Sequence, residues 1–282
     1  MLIFFVGTGR LGNQLFQLNG IENITKNFKK RIFILLNMPD IKKALNIKYK
    51  CINNKILVKL YDYYLYNIFN ILYRYRLIGS IECEYNYLNG YKQELKYIVK
   101  SGLLPFIWIP TLYFQKANLI TDVFFSIKEH HIKKAEMFYK SLPHNREPVF
   151  IHIRKTDYIK YNVLGKIGAD LPLSYYYKAI NIIIKLVENP FFIFLTDDPD
   201  FINQSFHNIS NKIISTLDQY ADLALMSLCK YGIISNSSFS WWGSYFMKDR
   251  KKVIAPRFWL GFKSEVEYPP GIIADWMEVI DF

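Results

Sequence analysis

Residues 222–246, DLALMSLCKYGIISNSSFSWWGSYF, join a helical segment to a short strand that stops on a cluster of small polar side chains. Leu223, Leu225, Met226 and Leu228 recur with the spacing of one helix face, predicting a helix from Asp222 to Lys230. Tyr231-Gly232 reads as a break and Ile233-Ile234 as a short buried strand. Ser235, Asn236, Ser237, Ser238 and Ser240 follow, while Phe239, Trp241 and Trp242 resume an apolar pattern around Gly243. A strand that ends on Ser-Asn-Ser-Ser and feeds a helix N-terminus sets hydroxyls and free backbone N–H groups where an anion can sit. The plainer reading is an N-cap ahead of a packed aromatic helix. The rest of the chain bears on the choice.

Working outward, strand-like and helical stretches alternate on both sides. Upstream, Val149–Ile153, Phe191–Leu195 and Lys212–Ser215 read as strands, with helices at Ser174–Val187 and Pro199–Phe206; downstream, Lys252–Ala255 is a strand. Such alternation implies βαβ units and a parallel sheet. At the N-terminus, LIFFVG (2–7) reads as a buried strand, GTGRLGNQ (7–14) as a glycine turn, Leu15–Lys29 as a helix and Arg31–Leu36 as a second strand. Leu103–Trp108 is a further strand and Lys128–Ser141 a helix. Residues 41–100, rich in Lys, Asn, Ile and Tyr, show little periodicity. The polar SLPHNREP (141–148), with two prolines, is the predicted domain boundary, giving domains 1–145 and 146–282.

The 282-residue chain is 51% hydrophobic and 17% aromatic, which excludes disorder and allows one or two domains. A net charge of +12 favours anionic partners such as a nucleotide or an anionic membrane surface. Cys51, Cys83 and Cys229 are odd in number and lack CxxC spacing, so neither a disulfide framework nor a zinc site is expected, and a reducing cytoplasm is. Met1–Val6 opens directly on a strand-like run with Gly7 close behind, so no secretory leader is expected. No stretch reaches the ~18 apolar residues that a membrane span needs.

Ligands on parallel sheets bind beyond the carboxyl ends of the strands, and three polar clusters fall there. In HIRKTDY (152–158), Arg154 offers a guanidinium fork to phosphate and Asp157 a carboxylate to hold it; a structural Arg–Asp pair is the alternative. In FLTDDPDF (194–201), Asp197 and Asp198 are adjacent, but Asp198 ahead of Pro199 fits helix capping better than metal binding. The third cluster is Ser235–Ser238. The glycine turn 7–14 matches neither the full dinucleotide fingerprint nor a P-loop, yet sets Arg10, Gly12 and Asn13 at the mouth of the N-terminal sheet.

GRLGNQLFQ, HIRKTD, LPLSYYYKAI, FLTDDP, DLALMSL and SNSSFSWWG occur together and in this order. The set closely resembles the bacterial α-1,2-fucosyltransferases of glycosyltransferase family 11, and more distantly the α-1,6- and protein O-fucosyltransferases that share an HxRRxD motif. The resemblance covers both ends and all of 150–282, leaving about 40–145 unmatched. It implies an α/β fold of two facing Rossmann-like domains, the GT-B type, with the active site in the cleft. The acceptor would lie largely on 1–145 and GDP-fucose on the C-terminal domain.

By the same resemblance, Arg154 binds the β-phosphate of GDP-fucose, with His152 near the nucleotide. Asp222 reads the N1–H and N2–H₂ edge of guanine. Ser237, Ser238 and Phe239 form a phosphate-binding turn, Asp197 belongs to the donor site, and Arg10, Gly12 and Asn13 lie near the fucose and phosphates. Lys155 stands where the motif has its second arginine. The implied reaction is inverting transfer of L-fucose from GDP-β-L-fucose to the 2-hydroxyl of a galactoside in surface glycan (lipopolysaccharide) synthesis, without a metal or other cofactor. Arg154 would stabilise the departing diphosphate. Asp157 and Asn13 are alternative groups for activating the acceptor, since Asn162 stands where the α-1,6 relatives carry a glutamate.

Expected partners are GDP-fucose and a galactose-terminated, in one version lipid-linked, acceptor at the inner face of the cytoplasmic membrane. Other readings are a GDP-fucose-dependent transferase of α-1,6 or protein O-linked type, or a non-enzymatic protein. Nucleic-acid binding finds no RNP-like or zinc motif and only scattered basic residues. A membrane-surface scaffold would use LYDYYLYNIFNILYRYR (60–76), which reads equally as an acceptor-side or membrane-docking element of the enzyme.

Overall fold

A computed structural model describes residues 1–110, 112–121 and 123–282. The chain divides into two compact units, Met1–Ser126 and Ile127–Phe282. The division falls ahead of the 141–148 segment chosen from its prolines. Helix α5 (Glu129–Lys140) therefore belongs with the second unit, where Lys134 Nζ donates to Asp218 Oδ2 at 3.1 Å and the His131 and Tyr220 rings meet at 5.2 Å.

In the first unit, β1 (Leu2–Val6) buries Ile3 and Phe5 completely, and α1 (Leu11–Ile24) follows after a four-residue turn. Then come β2 (Ile32–Leu36), α2 (Pro39–Ala44), β3 (Lys50–Ile52), α3 (Lys55–Leu60) and α4 (Tyr66–Arg74), the last two joined by a π-helical turn. A hairpin of β4 (Gly79–Leu88) and β5 (Tyr91–Lys100) and strand β6 (Phe106–Ile109) complete the sheet. Its order is β3-β2-β1-β6-β4-β5, parallel except for the hairpin. Asn89 and Gly90, both at positive φ, make the two-residue turn between Leu88 and Tyr91, as a hairpin with right-handed strand twist requires.

The second unit alternates more regularly. After α5 come β7 (Glu147–Ile153), α6 (Leu173–Leu186), β8 (Pro190–Thr196), α7 (Pro199–Ser205) and β9 (Lys212–Ile214). They are followed by α8 (Gln219–Leu228), β10 (Tyr231–Ile233), α9 (Ser238–Tyr245), β11 (Lys252–Pro256) and β12 (Met277–Ile280). The six strands are all parallel, in the order β9-β8-β7-β10-β11-β12. This is the doubly wound order, whose switch point lies between β7 and β10. Val149, Ile151, Phe192, Phe194, Ile233 and Ile254 pack with Tyr175, Ala179 and Ile183 of α6 in one buried cluster.

Two local readings change. Tyr231 and Gly232 do not break the chain but belong to β10, opposite Val149 and Phe150. Glycine is needed there because a Cβ on Gly232 would come within 2.3 Å of the Phe150 ring. Helix α8 starts before Asp222: Asp218 is its N-cap, accepting from the N–H groups of Tyr220 and Ala221 at 3.0 Å each.

Candidate active site

Because all strands of the second sheet run parallel, their carboxyl ends share one edge. His152–Arg154 lies at the end of β7, Asp197 beyond β8, Ser215 beyond β9 and Ser235–Ser237 beyond β10. The switch point is closed by a side-chain bond: His152 Nδ1 and Ser235 Oγ share a hydrogen bond of 2.8 Å. His152 is buried and its ring lies 5.4 Å from that of Phe239. Burial first, and the Arg154 cation second, push its pKa down to about 3 against the opposing pull of Asp197. The imidazole is therefore neutral near pH 7, a fixed polar wall rather than a titrating acid.

Arg154 sits beside it. Its Nε and one Nη donate to the two oxygens of Asp157 at 2.7 Å each, and the other Nη meets Asp197 at 3.1 Å. Burial works against its charge, but the hydrogen bonds it donates to Asp157 and the nearby negative charge of Asp197 outweigh it and hold its pKa above the ordinary arginine value. A guanidinium carries five N–H donors, so two remain for a further acceptor among the described residues. Asp197 also accepts from Lys155 N at 2.9 Å and Thr156 Oγ1 at 2.6 Å. It thus shapes the 154–156 turn from below. Asp198 caps α7, accepting from Phe201 N at 3.0 Å ahead of Pro199.

Lys155, the residue in place of the motif's second arginine, turns away from this group. Its ammonium pairs with Asp170 at 2.5 Å and lies 4.6 Å from the centre of the Phe201 ring. It ties the segment ahead of α6 to the β8–α7 junction. Asp170 was not singled out in the sequence, although its position directly before LPLSYYY was a usable signal. Tyr158 was missed as well. It lies 5.9 Å under the Arg154 guanidinium, and its hydroxyl donates to Asn236 O at 3.3 Å, linking the two switch-point turns.

At the other side of the switch point, Ser237 is the N-cap of α9, accepting from Phe239 N at 3.3 Å. Ser235, Asn236 and Ser237 are buried, Ser238 and Phe239 half-buried. Asn236 Nδ2 donates to Ala169 O at 2.8 Å, while its Oδ1 has no hydrogen-bond partner among the described residues. Ser237 thus caps α9, as the plainer reading of SNSS expects, and the turn lies at the switch point.

Asp222 lies in the first turn of α8, hydrogen-bonded by Ser215 Oγ at 2.5 Å. Burial raises its pKa to about 7, with the Ser215 hydroxyl opposing and the Asp218 charge adding. A half-buried carboxyl with one hydroxyl donor retains acceptor capacity. From the end of β9 to the end of β10 is three inter-strand spacings, about 14 Å.

In the first unit, the turn after β1 carries Gly9 at φ 75° and Arg10 as the residue before α1. Gly9 has no Cβ, and one would strike Asn13 Nδ2 at 2.5 Å. Arg10 is exposed, Gly12 buried, and Asn13 half-buried with its Oδ1 accepting from Gln115 Nε2 at 2.7 Å. The conspicuous glutamines are structural. Gln14 Oε1 accepts from Asp40 N and Ile41 N at the start of α2, and Gln17 Oε1 accepts from Thr8 N. Arg10, Gly12 and Asn13 thus lie together at the end of β1, next to the switch point between β1 and β6. Among the described residues, no three His, Cys, Asp or Glu side chains are grouped to hold a metal ion.

A model of glycosyl transferase family 11 matches residues 5–266. The chain belongs to that family. It is 28% identical over 285 residues to the O-antigen biosynthesis glycosyltransferase WbnK of Escherichia coli, spanning 89% of this chain and 93% of that one. It is 34% identical over 117 residues to an α-1,2-colitosyltransferase of Escherichia coli, a match confined to 39% of this chain and 40% of the other. Solved glycosyltransferases share its fold, and the GDP complex of POFUT1 superposes with a TM-score of 0.55 at 12% identity, over 90% of this chain and 97% of that one. The family 11 chain is accordingly a glycosyltransferase built on the GT-B plan, with a Rossmann-like sheet in each unit.

Proposed function

We propose that this family 11 enzyme transfers L-fucose from GDP-β-L-fucose to the 2-hydroxyl of a terminal galactoside, with inversion, in bacterial surface-glycan synthesis. The observation that carries the reading is the group at the β7–β10 switch point. There a half-buried, ion-paired arginine with donors to spare lies two residues from a neutral histidine that is hydrogen-bonded to the serine turn capping α9. The O-antigen role of the WbnK relative and the α-1,2 linkage formed by the colitosyltransferase support surface-glycan synthesis and 2-linkage. The GDP in the POFUT1 complex supports a guanine nucleotide on this fold.

In this mechanism the diphosphate rests between Arg154 and the Ser237–Phe239 turn, and guanine lies toward Asp222. As the glycosidic bond breaks, positive charge grows on the sugar ring and negative charge on the leaving diphosphate. Arg154 and the N–H groups at the start of α9 stabilise the latter without reorganising. The incoming phosphate takes the spare guanidinium donors or displaces the half-exposed Asp157. Asp157 is bound to Arg154 through both oxygens, so it acts as a positioning residue, and Asn13 is left to polarise the acceptor hydroxyl. Asp197 positions the Arg154 turn. No metal takes part in these steps.

A second reading, that the donor carries colitose, is favoured by the α-1,2-colitosyltransferase match. Turnover of GDP-fucose with β1,3- and β1,4-linked galactosides, followed by linkage analysis, tests the proposal. An α-1,2-fucosylated product supports it. Turnover confined to another GDP-sugar, or product of another linkage, overturns it.

A further inference from the structure

Residues 55–76 form one continuous helical run: α3, the π-helical turn Tyr61–Leu65, and α4. One face is spent on the core of the first unit. Tyr61 packs with Val6, Leu36, Ile78 and Trp108, joined by Val58, Leu65, Phe69 and Leu72, and Tyr61 Oη accepts from Trp108 Nε1 at 2.9 Å. The opposite face is also apolar, yet it is open to solvent. Ile56, Leu60, Tyr63, Tyr64, Ile68, Ile71 and Tyr75 recur every three to four residues along it, and Ile56, Tyr63 and Tyr75 are 75%, 73% and 76% exposed. Beside the end of the run, Leu103 N and Leu104 N bond to Arg76 O and Leu77 O, which brings two more exposed leucines to the same end.

A helix on the surface of a globular protein ordinarily turns a charged face to water. Single exposed apolar residues need no explanation, but a contiguous stripe marks a surface that something covers. The charges on this run say what. Lys55 and Lys59 stand at its start and Arg74 and Arg76 at its end, all exposed, against one carboxylate, Asp62. A two-fold pairing of this face with a second copy, parallel or antiparallel, sets cation against cation at both ends. An anionic headgroup layer instead meets both ends at once, and tyrosines suit the boundary between headgroups and acyl chains. The run is about 33 Å long at 1.5 Å per residue, and it lies along a surface rather than crossing it. Among the described residues no helix is long and apolar enough to cross a membrane.

We propose that the outward face of residues 55–76 docks the protein on an anionic lipid bilayer, with Ile56, Tyr63, Ile71 and Tyr75 inserted and the flanking Lys and Arg side chains in the headgroup layer. The inference is independent of the reaction assigned above. Sedimentation of the full chain with phosphatidylcholine vesicles, with and without phosphatidylglycerol, tests it. The protein pellets with the anionic vesicles, not with pure phosphatidylcholine, and raised salt weakens the binding.

The variant Ile56→Ser/Tyr63→Ser/Ile71→Ser lowers the partition coefficient by about ten-fold or more, with an unchanged melting curve and unchanged affinity for GDP. Lys55→Gln/Lys59→Gln/Arg74→Gln, which touches no apolar contact, lowers it in the same way and removes the salt dependence. Wild-type protein that stays in the supernatant with anionic vesicles overturns the proposal, as does full binding by both variants. A concentration-dependent dimer in sedimentation velocity, abolished by the serine variant, would assign the face to a second copy instead.

Discussion

Arg154 spends three of its five donors on Asp157 and Asp197, so its position is fixed before any ligand arrives. In the proposed mechanism, removing it takes away the cation that meets the leaving diphosphate. Arg154→Ala is expected to lower kcat by about 100-fold or more, roughly 3 kcal/mol, with a melting temperature close to wild type. A kcat within about ten-fold of wild type, ~1.4 kcal/mol, speaks against leaving-group stabilisation. Asp157 is tested differently, through its pH profile. If it positions Arg154, Asp157→Asn lowers kcat but keeps the acid limb of the rate profile; loss of that limb identifies a general base. Asp222 makes a stability prediction whose sign follows from its raised pKa of about 7. Between about pH 4 and 7 the folded state holds this proton more tightly than the unfolded state, so the group costs increasing stability as pH rises. Asp222→Asn is therefore expected to raise the melting temperature above wild type at pH 8 and to leave it nearly unchanged at pH 4. Parallel melts across that range check it.

Among the elements, β10 shows most clearly how packing overrides a local signal. Gly232 looks like a breaker in sequence, but it is the strand residue over which the Phe150 ring lies at the switch point. Gly232→Ala is expected to destabilise the C-terminal unit by about 1–3 kcal/mol through overpacking, read as a lower denaturation midpoint. The alternating second half of the chain was legible because its strands are buried runs bounded by capped helices: Ser237 and Asp198 cap the helices predicted to follow them. Asp222 was placed at the start of α8, yet Asp218 supplies the cap, because both aspartates precede the apolar periodicity. Residues 41–100 were illegible for a physical reason. The run 55–76 is apolar on both its packed and its open face, so no polar stripe marks a period. The β4–β5 hairpin carries many exposed residues and a register shift at Glu84/Tyr85, which blurs alternation, although Asn89-Gly90 was a turn signal in plain view. The site clusters themselves were visible because they sit at strand ends; the pairing of Lys155 with Asp170 was not, because it depends on how the chain returns before α6.

At the scale of the whole molecule, a parallel doubly wound sheet gathers the ends of β7, β8, β9 and β10 on one edge and so brings together residues as far apart in sequence as His152 and Ser235, 83 positions. In the proposed mechanism Arg154 supplies the positive charge at the leaving diphosphate, and turnover is expected to persist in excess EDTA. Loss of activity on chelation, restored by Mg²⁺ or Mn²⁺, would move Asp197 and Asp198 to the centre of the chemistry. The central claim is that this edge holds a guanine nucleotide, with diphosphate at the β7–β10 switch point and guanine at Asp222, about 14 Å away along the strand ends. A carboxylate accepts from both guanine donors at once, which adenine cannot match. Calorimetric titration of GDP and ADP into wild type and Asp222→Ala is the direct test. The account predicts that wild type binds GDP in clear preference to ADP, and that Asp222→Ala loses GDP affinity by about ten-fold or more, ~1.4 kcal/mol, while remaining folded. Equal affinity for GDP in the wild type and the folded variant would contradict it.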